Sequence, residues 1–332
     1  MKVLIIRLSS IGDIILTTAV LKVFKEKYPE VSIDFLVLDK FKDAITFCPY
    51  VDNVIFFNKE KNDGFLNLIK FAKKLSQNGY DYVIDLHSKF RSKIITTVFK
   101  YRYSVQTKVY KKRAFWKSLL VNFKLIRYEV DKSIIKNYFT AFEDFELEYE
   151  GEQLNFSFEN NLEEKFLKYR NYIVFAPGAS KETKKWTEEN FGNLAKLLYQ
   201  KYNNKILLIG GKEDKEKCDR INIISENSCE NLAGQLSLKE SGALLSLARF
   251  LLTNDSGPFH IARGVKCRTY VIFGPTSPKM FEFDESTVLI YKDSECSPCS
   301  LHGDKKCPKK HFDCMKNLTY NNVYDIINKK EN

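Results

Sequence analysis

Several turns in this chain carry carboxylates, hydroxyls and lysines directly after short apolar runs, the positions from which a strand presents chemistry. The most informative is Leu251-Leu252-Thr253-Asn254-Asp255-Ser256-Gly257-Pro258-Phe259-His260-Ile261-Ala262, an apolar run that breaks into a small-residue turn and then a helix. Ser256 and Gly257 fall at the helix start, where unpaired N–H groups and the positive end of the dipole favour a phosphate. Asp255 is poised to accept hydrogen bonds from the loop backbone or from ligand hydroxyls. His260, about one turn in, either donates to a phosphate oxygen or is a satisfied structural histidine. Upstream, Ala176-Pro177-Gly178-Ala179-Ser180 runs into Lys181-Glu182-Thr183-Lys184-Lys185-Trp186. A Pro-Gly turn followed by hydroxyls and lysines suits a pyrophosphate, although a solvated loop with Thr187 capping the next helix would use the same residues. Near the start, Arg7-Leu8-Ser9-Ser10-Ile11-Gly12-Asp13 places a glycine and an acid where a helix begins. Gly12 lets a ligand approach the backbone and Asp13 faces it, while a plain helix cap needs no ligand at all. Gly210-Gly211 and Gly274-Pro275-Thr276-Ser277-Pro278 add two more permissive turns.

These turns need a scaffold that brings strand ends together. Val3–Ile6, Ile33–Leu38, Val54–Phe57, Tyr82–Asp85 and Tyr103–Thr107 read as strands, and Asp13–Lys27, Phe65–Gln77 and Ser88–Lys100 carry helical spacing. Such alternation predicts a parallel sheet with helices on both faces. A second series follows: strands at Tyr172–Phe175, Lys205–Ile209, Phe250–Thr253 and Thr269–Phe273, with helices near Asp214–Ser225, Lys239–Ser246 and from Ser256. The polar stretch 151–169 separates the two, so a division into residues 1–160 and 161–332 is expected. The expectation is an α/β protein of two doubly wound Rossmann-like domains facing across a cleft, with ligands beyond the carboxyl ends of the strands. The last helix, Asn321–Lys329, is expected to return toward the first domain.

The chain has 332 residues and a formal net charge of +11, concentrated in one region. Between Lys89 and Lys136, fourteen Lys/Arg face only Glu129 and Asp131, with aromatics such as Tyr110, Phe115 and Trp116 interleaved. That segment suits a solvated helical face, a nucleic acid, an anionic membrane or an acidic substrate. The opening apolar tetrad is interrupted by Arg7 and Asp13, and no apolar run reaches the roughly 18 residues a spanning helix needs. A cytoplasmic location is expected. Of eight cysteines, Cys296, Cys299, Cys307 and Cys314 crowd one loop with C-x2-C-x7-C-x6-C spacing. Four thiolates can hold a structural zinc, with His302 or His311 as substitutes, but paired cysteines or reduced thiols fit the same spacing. A closed four-thiolate site has no open position for catalysis.

Taken in order, Ser9-Ser10-Ile11-Gly12-Asp13, Asp85-Leu86 with Arg91-Ser92, Pro177-Gly178-Ala179-Ser180, Thr183-Lys184-Lys185-Trp186, Asn254-Asp255-Ser256-Gly257-Pro258 with His260, and Gly274-Pro275-Thr276 resemble the ADP-heptose:lipopolysaccharide heptosyltransferases of glycosyltransferase family 9. The resemblance spans nearly the whole chain. It implies the GT-B fold, with residues 1–160 binding an acceptor and 161–332 a nucleotide-sugar donor. The implied reaction is inverting transfer of a heptose from an ADP-heptose-type donor to an anionic lipopolysaccharide inner-core acceptor. Asp13 matches the family's general base, and Lys184 the lysine that neutralises the leaving diphosphate in place of a metal, so no cofactor is expected in catalysis. Gly12, Ser180, Thr183, Asp255, Ser256, Gly257 and His260 match the donor side, and Arg91, Lys112 and Arg113 are acceptor candidates. The implied setting is a monomer on the inner face of the cytoplasmic membrane, held by the basic segment, with no nucleic-acid partner. A nucleotide-sugar epimerase of similar fold, or a non-catalytic RNA- or membrane-binding protein, are the competing readings. The sequence departs from the family at His87-Ser88, where Gln-Gly is usual, at Leu16 and Ala19 in place of His and Pro, and at Arg263 in a shortened helix.

Overall fold

The computed structural model describes residues 1–110, 130, 132–292 and 294–331, which form two compact units, residues 1–110 with 132–157 and residues 158–331. In the first unit, strands β1 (Lys2–Ile6), β2 (Ser32–Leu38), β3 (Asn53–Phe57), β4 (Tyr82–Asp85) and β5 (Gln106–Val109) form an all-parallel sheet in the order β3-β2-β1-β4-β5. Val3 to Ile6 are wholly buried, as befits a central strand covered on both faces. Helix Ile11–Lys27 buries nearly every residue from Gly12 to Leu21. Helix Phe65–Ser76 instead buries only the stripe Leu68, Ala72 and Leu75, the pattern of a helix laid on the sheet's surface. Helix Phe90–Tyr103 packs beside it, with Ile95 and Phe99 in the same core. After residue 132 the chain returns through helix Ile134–Phe139, and Phe142 and Phe145 close on Phe24 with ring centroids 5.2 and 4.8 Å apart.

The second unit contains β6 (Ile173–Ala176), β7 (Ile206–Leu208), β8 (Cys229–Asn231), β9 (Phe250–Asn254), β10 (Thr269–Phe273) and β11 (Thr287–Tyr291), all parallel, in the order β11-β10-β9-β6-β7-β8. The strand order reverses between β1 and β4 in one sheet and between β6 and β9 in the other. Ile6 lies beside Asp85, and Ala176 beside Thr253, so the turns leaving each pair of strands start level. Doubly wound sheets bind ligands at such switch points. Local chemistry sets the helix starts: Thr187 Oγ1 accepts the Asn190 N–H at 3.2 Å, and Ser237 and Glu240 form a reciprocal capping box.

The structure differs from the sequence-based expectation in two places. The fifth strand is Gln106–Val109 rather than Tyr103–Thr107, because the preceding helix continues to Tyr103 and closes on Ser104 in the left-handed region, φ 54°. Strands β8 and β11 carry no assignment from the sequence. The last helix, Tyr320–Glu331, is part of the second unit. Val323 and Ile327 enter the second core, and Glu331 accepts the Tyr270 hydroxyl at 2.9 Å and pairs with Arg249 at 3.1 Å.

Candidate functional site

At the first switch point, Asp13 is the third residue of helix Ile11–Lys27, and its Oδ2 gathers every contact around it. Ser10 donates from its backbone N–H at 3.2 Å and its hydroxyl at 2.9 Å, and Arg7 Nη2 lies at 2.7 Å. The capping role is therefore real, yet the Asp13 side chain keeps 32% exposure. Arg7 is buried; its Nη1 donates to Leu86 O, just beyond β4, and its guanidinium lies 5.6 Å from the Tyr138 ring centroid. Burial raises the Asp13 pKa, but the Arg7 charge and the Ser10 hydrogen bonds outweigh it and hold the carboxyl at about 2. Asp13 is thus ionised at any working pH. Across the switch point, buried Asp85 accepts the His87 and Ser88 N–H groups, both at 2.8 Å, and burial pushes its pKa up. Those bonds fix the His87-Ser88 turn.

At the second switch point, Lys184 Nζ and Asp255 Oδ2 form an ion pair at 2.6 Å, with 12% and 6% of their side chains exposed. The same oxygen accepts the Thr276 hydroxyl at 2.9 Å, so the turns after β6, β9 and β10 meet on one carboxylate. Asn254 reinforces the junction from below: it is buried, accepts the Trp186 N–H at 3.0 Å and donates to Pro177 O at 2.9 Å. Trp186, also buried, donates its indole N–H to Leu318 O at 2.7 Å, anchoring the short turn that carries Lys184. Gly303 has φ +79° and lies over the Lys184 stem, where a Cβ would sit 2.7 Å from Lys184 Cγ. Only glycine both adopts that conformation readily and leaves the space. Ser256 stands at the N-cap position of helix Gly257–Gly264 without a side-chain cap bond, its hydroxyl 3.3 Å from that of Thr253. The first N–H groups of this helix point from the level of Asp255, an arrangement suited to a phosphate.

Not every sequence candidate stands open to a ligand. The Thr183 hydroxyl donates to Asp304 O at 3.1 Å and accepts the Asp304 N–H at 2.7 Å, so it fastens the 303–304 loop. His260 is buried between Phe259 and Phe281, ring centroids 4.8 and 5.2 Å away. Gly12 is buried in the first turn of its helix, and Ser180 is exposed in the loop after β6. Arg91 gives both arms of its fork to Asp63, at 2.8 and 2.6 Å. Lys112 and Arg113 lie outside the described residues. Arg263 donates to Glu282 O at 2.6 Å and stands over Phe259, which accounts for a buried arginine in that helix. Arg7, Asn254, Thr276 and Gly303 are the contributors that the sequence reading did not single out. Asn254 and Thr276 sit inside the motif blocks and Arg7 just ahead of one, but nothing in the order of residues reveals their partners.

The cysteine loop is tied to the same edge: Cys299 and Ser300 N–H groups both donate to Pro275 O at 3.0 Å. All four thiols are free. Burial pushes Cys299 up to about 11 and Cys314 up to about 12, each raised further by the other thiols of the loop. Among the described residues no three His, Cys, Asp or Glu side chains are arranged to hold a metal ion, so the zinc expectation finds no ligand geometry here. None of the described helices is long and apolar enough to cross a membrane.

The family model for glycosyltransferase family 9 (heptosyltransferase) matches residues 68–311. A lipooligosaccharide heptosyltransferase 2 of Campylobacter jejuni subsp. jejuni serotype O:2 is 26% identical over 337 residues, covering 96% of this chain and 94% of the relative. Among solved structures, the glycosyl transferase family 9 protein of Veillonella parvula superposes with a TM-score of 0.80 at 18% identity, covering 99% of this chain and 96% of that one. The E. coli ADP-heptose LPS heptosyltransferase II does so with 0.75 at 20% identity, covering 99% and 98%. Two doubly wound units of this topology are therefore the fold of the solved heptosyltransferases. With the motif blocks at the two switch points and the family model spanning most of the chain, the chain belongs to glycosyltransferase family 9, the heptosyltransferases, and is a glycosyltransferase.

Proposed function

We propose that the protein transfers a heptose, with inversion, from an ADP-heptose-type donor to an anionic sugar of a lipopolysaccharide inner core. One observation carries the reading: each sheet presents at its switch point an ion-paired carboxylate from the family's motif blocks, Asp13 on Arg7 in one and Asp255 on Lys184 in the other. The names of the relatives, lipooligosaccharide heptosyltransferase 2 and ADP-heptose LPS heptosyltransferase II, supply the sugar, the nucleotide and the acceptor class. In this reading the first unit receives the acceptor and the second the donor.

The acceptor hydroxyl oxygen forms the new bond to the anomeric carbon as the bond from that carbon to the diphosphate oxygen breaks. The bonding pair leaves with the nucleotide, and the hydroxyl proton passes to Asp13. A carboxylate held at about 2 is a weak base, so it accepts the proton late, once bond formation has made that oxygen acidic. Oδ2 stays with Ser10 and Arg7, and Oδ1 faces the acceptor. On the donor side, Lys184 exchanges Asp255 for the diphosphate and balances the charge that builds as the bond breaks. Asp255 stays on Thr276 and orients the turn, Ser256 and Gly257 offer backbone N–H groups, and Ser180 closes on the phosphates from the first loop. No cofactor enters these steps. The protein acts as a monomer at the cytoplasmic face of the inner membrane, Lys112 and Arg113 drawing in the anionic acceptor.

Calorimetry of the purified chain against a panel of nucleotide sugars tests the reading. An ADP-linked heptose gives the strongest heat; if no nucleotide sugar binds, the proposal is wrong.

A further inference from the structure

The starts of two surface helices in the first unit carry large apolar side chains that the core does not use. Phe65 and Leu66 open helix Phe65–Ser76 at 60% and 70% exposure, and Phe90 opens helix Phe90–Tyr103 at 70%. The buried stripes of both helices are already complete without them. The two openings are pinned together: Asp63, two residues ahead of Phe65, holds the fork of Arg91, the residue after Phe90. Asn67 Nδ2 also donates to Asp63 O at 3.0 Å, and Gly64 turns the chain with φ +92°. Three bulky apolar groups are thus displayed around one rigid ion pair. Singly exposed hydrophobics need no explanation, but a fixed cluster does.

The surroundings specify the partner. Lys59, Lys61, Lys89 and Lys93, in the stretches that open the two helices, are all exposed, whereas in those stretches Asp63 is committed to Arg91 and Glu60 is the one exposed acid. An apolar centre with a cationic border matches a bilayer carrying anionic headgroups. A second copy of the chain fits poorly, because a two-fold interface would set the same lysines against each other. Both helices begin at the carboxyl edge of the sheet, the edge that carries Asp13 and Asp85.

We propose that this patch docks the protein on an anionic phospholipid bilayer, with Phe65, Leu66 and Phe90 entering the interfacial layer and Lys59, Lys61, Lys89 and Lys93 meeting the headgroups. The inference deepens the functional reading above, in that docking presents the acceptor-side edge to a membrane that holds the acceptor, but it is tested separately. The full chain is sedimented with vesicles of phosphatidylcholine alone and of phosphatidylcholine mixed with phosphatidylglycerol. The wild type binds the mixed vesicles, and the combined variant Phe65→Ser, Leu66→Ser, Phe90→Ser binds them roughly tenfold or more weakly with an unchanged thermal midpoint. Lys59→Glu with Lys89→Glu abolishes the preference for anionic vesicles. Equal binding by the triple-serine variant and wild type overturns the proposal. So does a wild type that ignores vesicles, including one whose patch instead drives self-association that the variant loses in analytical ultracentrifugation. If the triple-serine variant unfolds, the lysine pair decides. Turnover of a detergent-dispersed acceptor in the same preparations separates the two ideas: vesicle binding without turnover sinks the transferase reading alone, and turnover without vesicle binding sinks the docking surface alone.

Discussion

Arg7 Nη2 and Asp13 Oδ2 stand 2.7 Å apart at the first switch point, the arginine buried and the carboxylate one-third exposed. The arginine also holds Leu86 O beyond β4, so one side chain spans the reversal in strand order and fixes the carboxylate's direction. The groups that face this pair are Ser10 from the turn, Tyr110 after β5, Tyr138 from helix Ile134–Phe139, and Asp85 at the end of β4. Arg7 is raised in pKa, since Tyr138 and Asp13 outweigh the effect of its burial, and it remains charged.

The sign of a pH effect follows. Asp13 accepts a proton only when ionised, so activity falls as pH drops through its pKa of about 2, below the range in which the fold is studied. The wild type therefore shows no acid limb from Asp13 near neutrality. Replacing Arg7 with Met removes the largest influence that lowers the pKa and leaves the burial that raises it, while the Ser10 hydrogen bonds still hold it down, so the limb moves upward from its wild-type position. A kcat/KM profile against pH checks this; coincident acid limbs in wild type and Arg7→Met would show that Arg7 does not tune Asp13. Stability shifts in the same window, because a lowered Asp13 pKa contributes stability above about 4 that is lost as pH falls toward 2.

Asp13→Asn keeps the size of the side chain and an acceptor oxygen for Ser10, but cannot take a proton. Donor affinity by calorimetry is expected to be unchanged while kcat falls roughly 10²-fold or more. Near-normal turnover would leave Asp13 as the helix cap that its contacts with Ser10 already make it.

The contrast between those two roles shows what the sequence discloses. Parallel strands buried on both faces read as apolar runs, so Val3–Ile6, Phe250–Thr253 and Thr269–Phe273 stand out without any partner being known. Cys229–Asn231 is three residues long and two of them are polar, too short and mixed to register. Motif blocks locate Asp13, Lys184 and Asp255 because their turns are unusual in composition. That Lys184 closes on Asp255, that Thr276 shares the carboxylate, and that Arg7 crosses to Leu86 are facts of strand order, which residue spacing does not encode. The last helix is silent for the same reason: its apolar stripe fits any core, and Glu331 meeting Tyr270 and Arg249 is what ties it to the second.

Lys184 and Asp255 should uncouple activity from stability. Lys184→Ala leaves a buried carboxylate unpaired, a loss of about 3–5 kcal/mol, and weakens both donor binding and kcat. The double change Lys184→Met with Asp255→Asn removes both charges together, so most of the stability returns while activity does not. Denaturant unfolding and turnover measured on the wild type and the two variants check this. Recovery of activity in the double variant would exclude Lys184 from balancing the leaving group.

Asn254→Leu removes an acceptor from the Trp186 N–H and a donor from Pro177 O, both in a dry interior. Unsatisfied groups of this kind cost about 1–3 kcal/mol each. Because those partners hold the loops on either side of Lys184, donor affinity falls along with the unfolding midpoint. A midpoint lowered with donor affinity intact would make Asn254 a support for the core alone.

Thr183 separates two readings of one hydroxyl. As a diphosphate contact, its loss in Thr183→Val weakens donor binding directly and leaves the free protein as stable as before. As the latch on Asp304, its loss frees the loop in which Gly303 covers the Lys184 stem, so stability drops by about 1–2 kcal/mol for the bonds broken. The geometry favours the latch, since the hydroxyl both gives and receives a bond with Asp304 and the Thr183 N–H donates to the same carbonyl at 3.1 Å. The expected result is a lower unfolding midpoint, faster amide exchange around Asp304, and donor affinity changed by less than roughly tenfold, an indirect effect through Lys184. A stable variant that loses donor binding outright would return Thr183 to the phosphates.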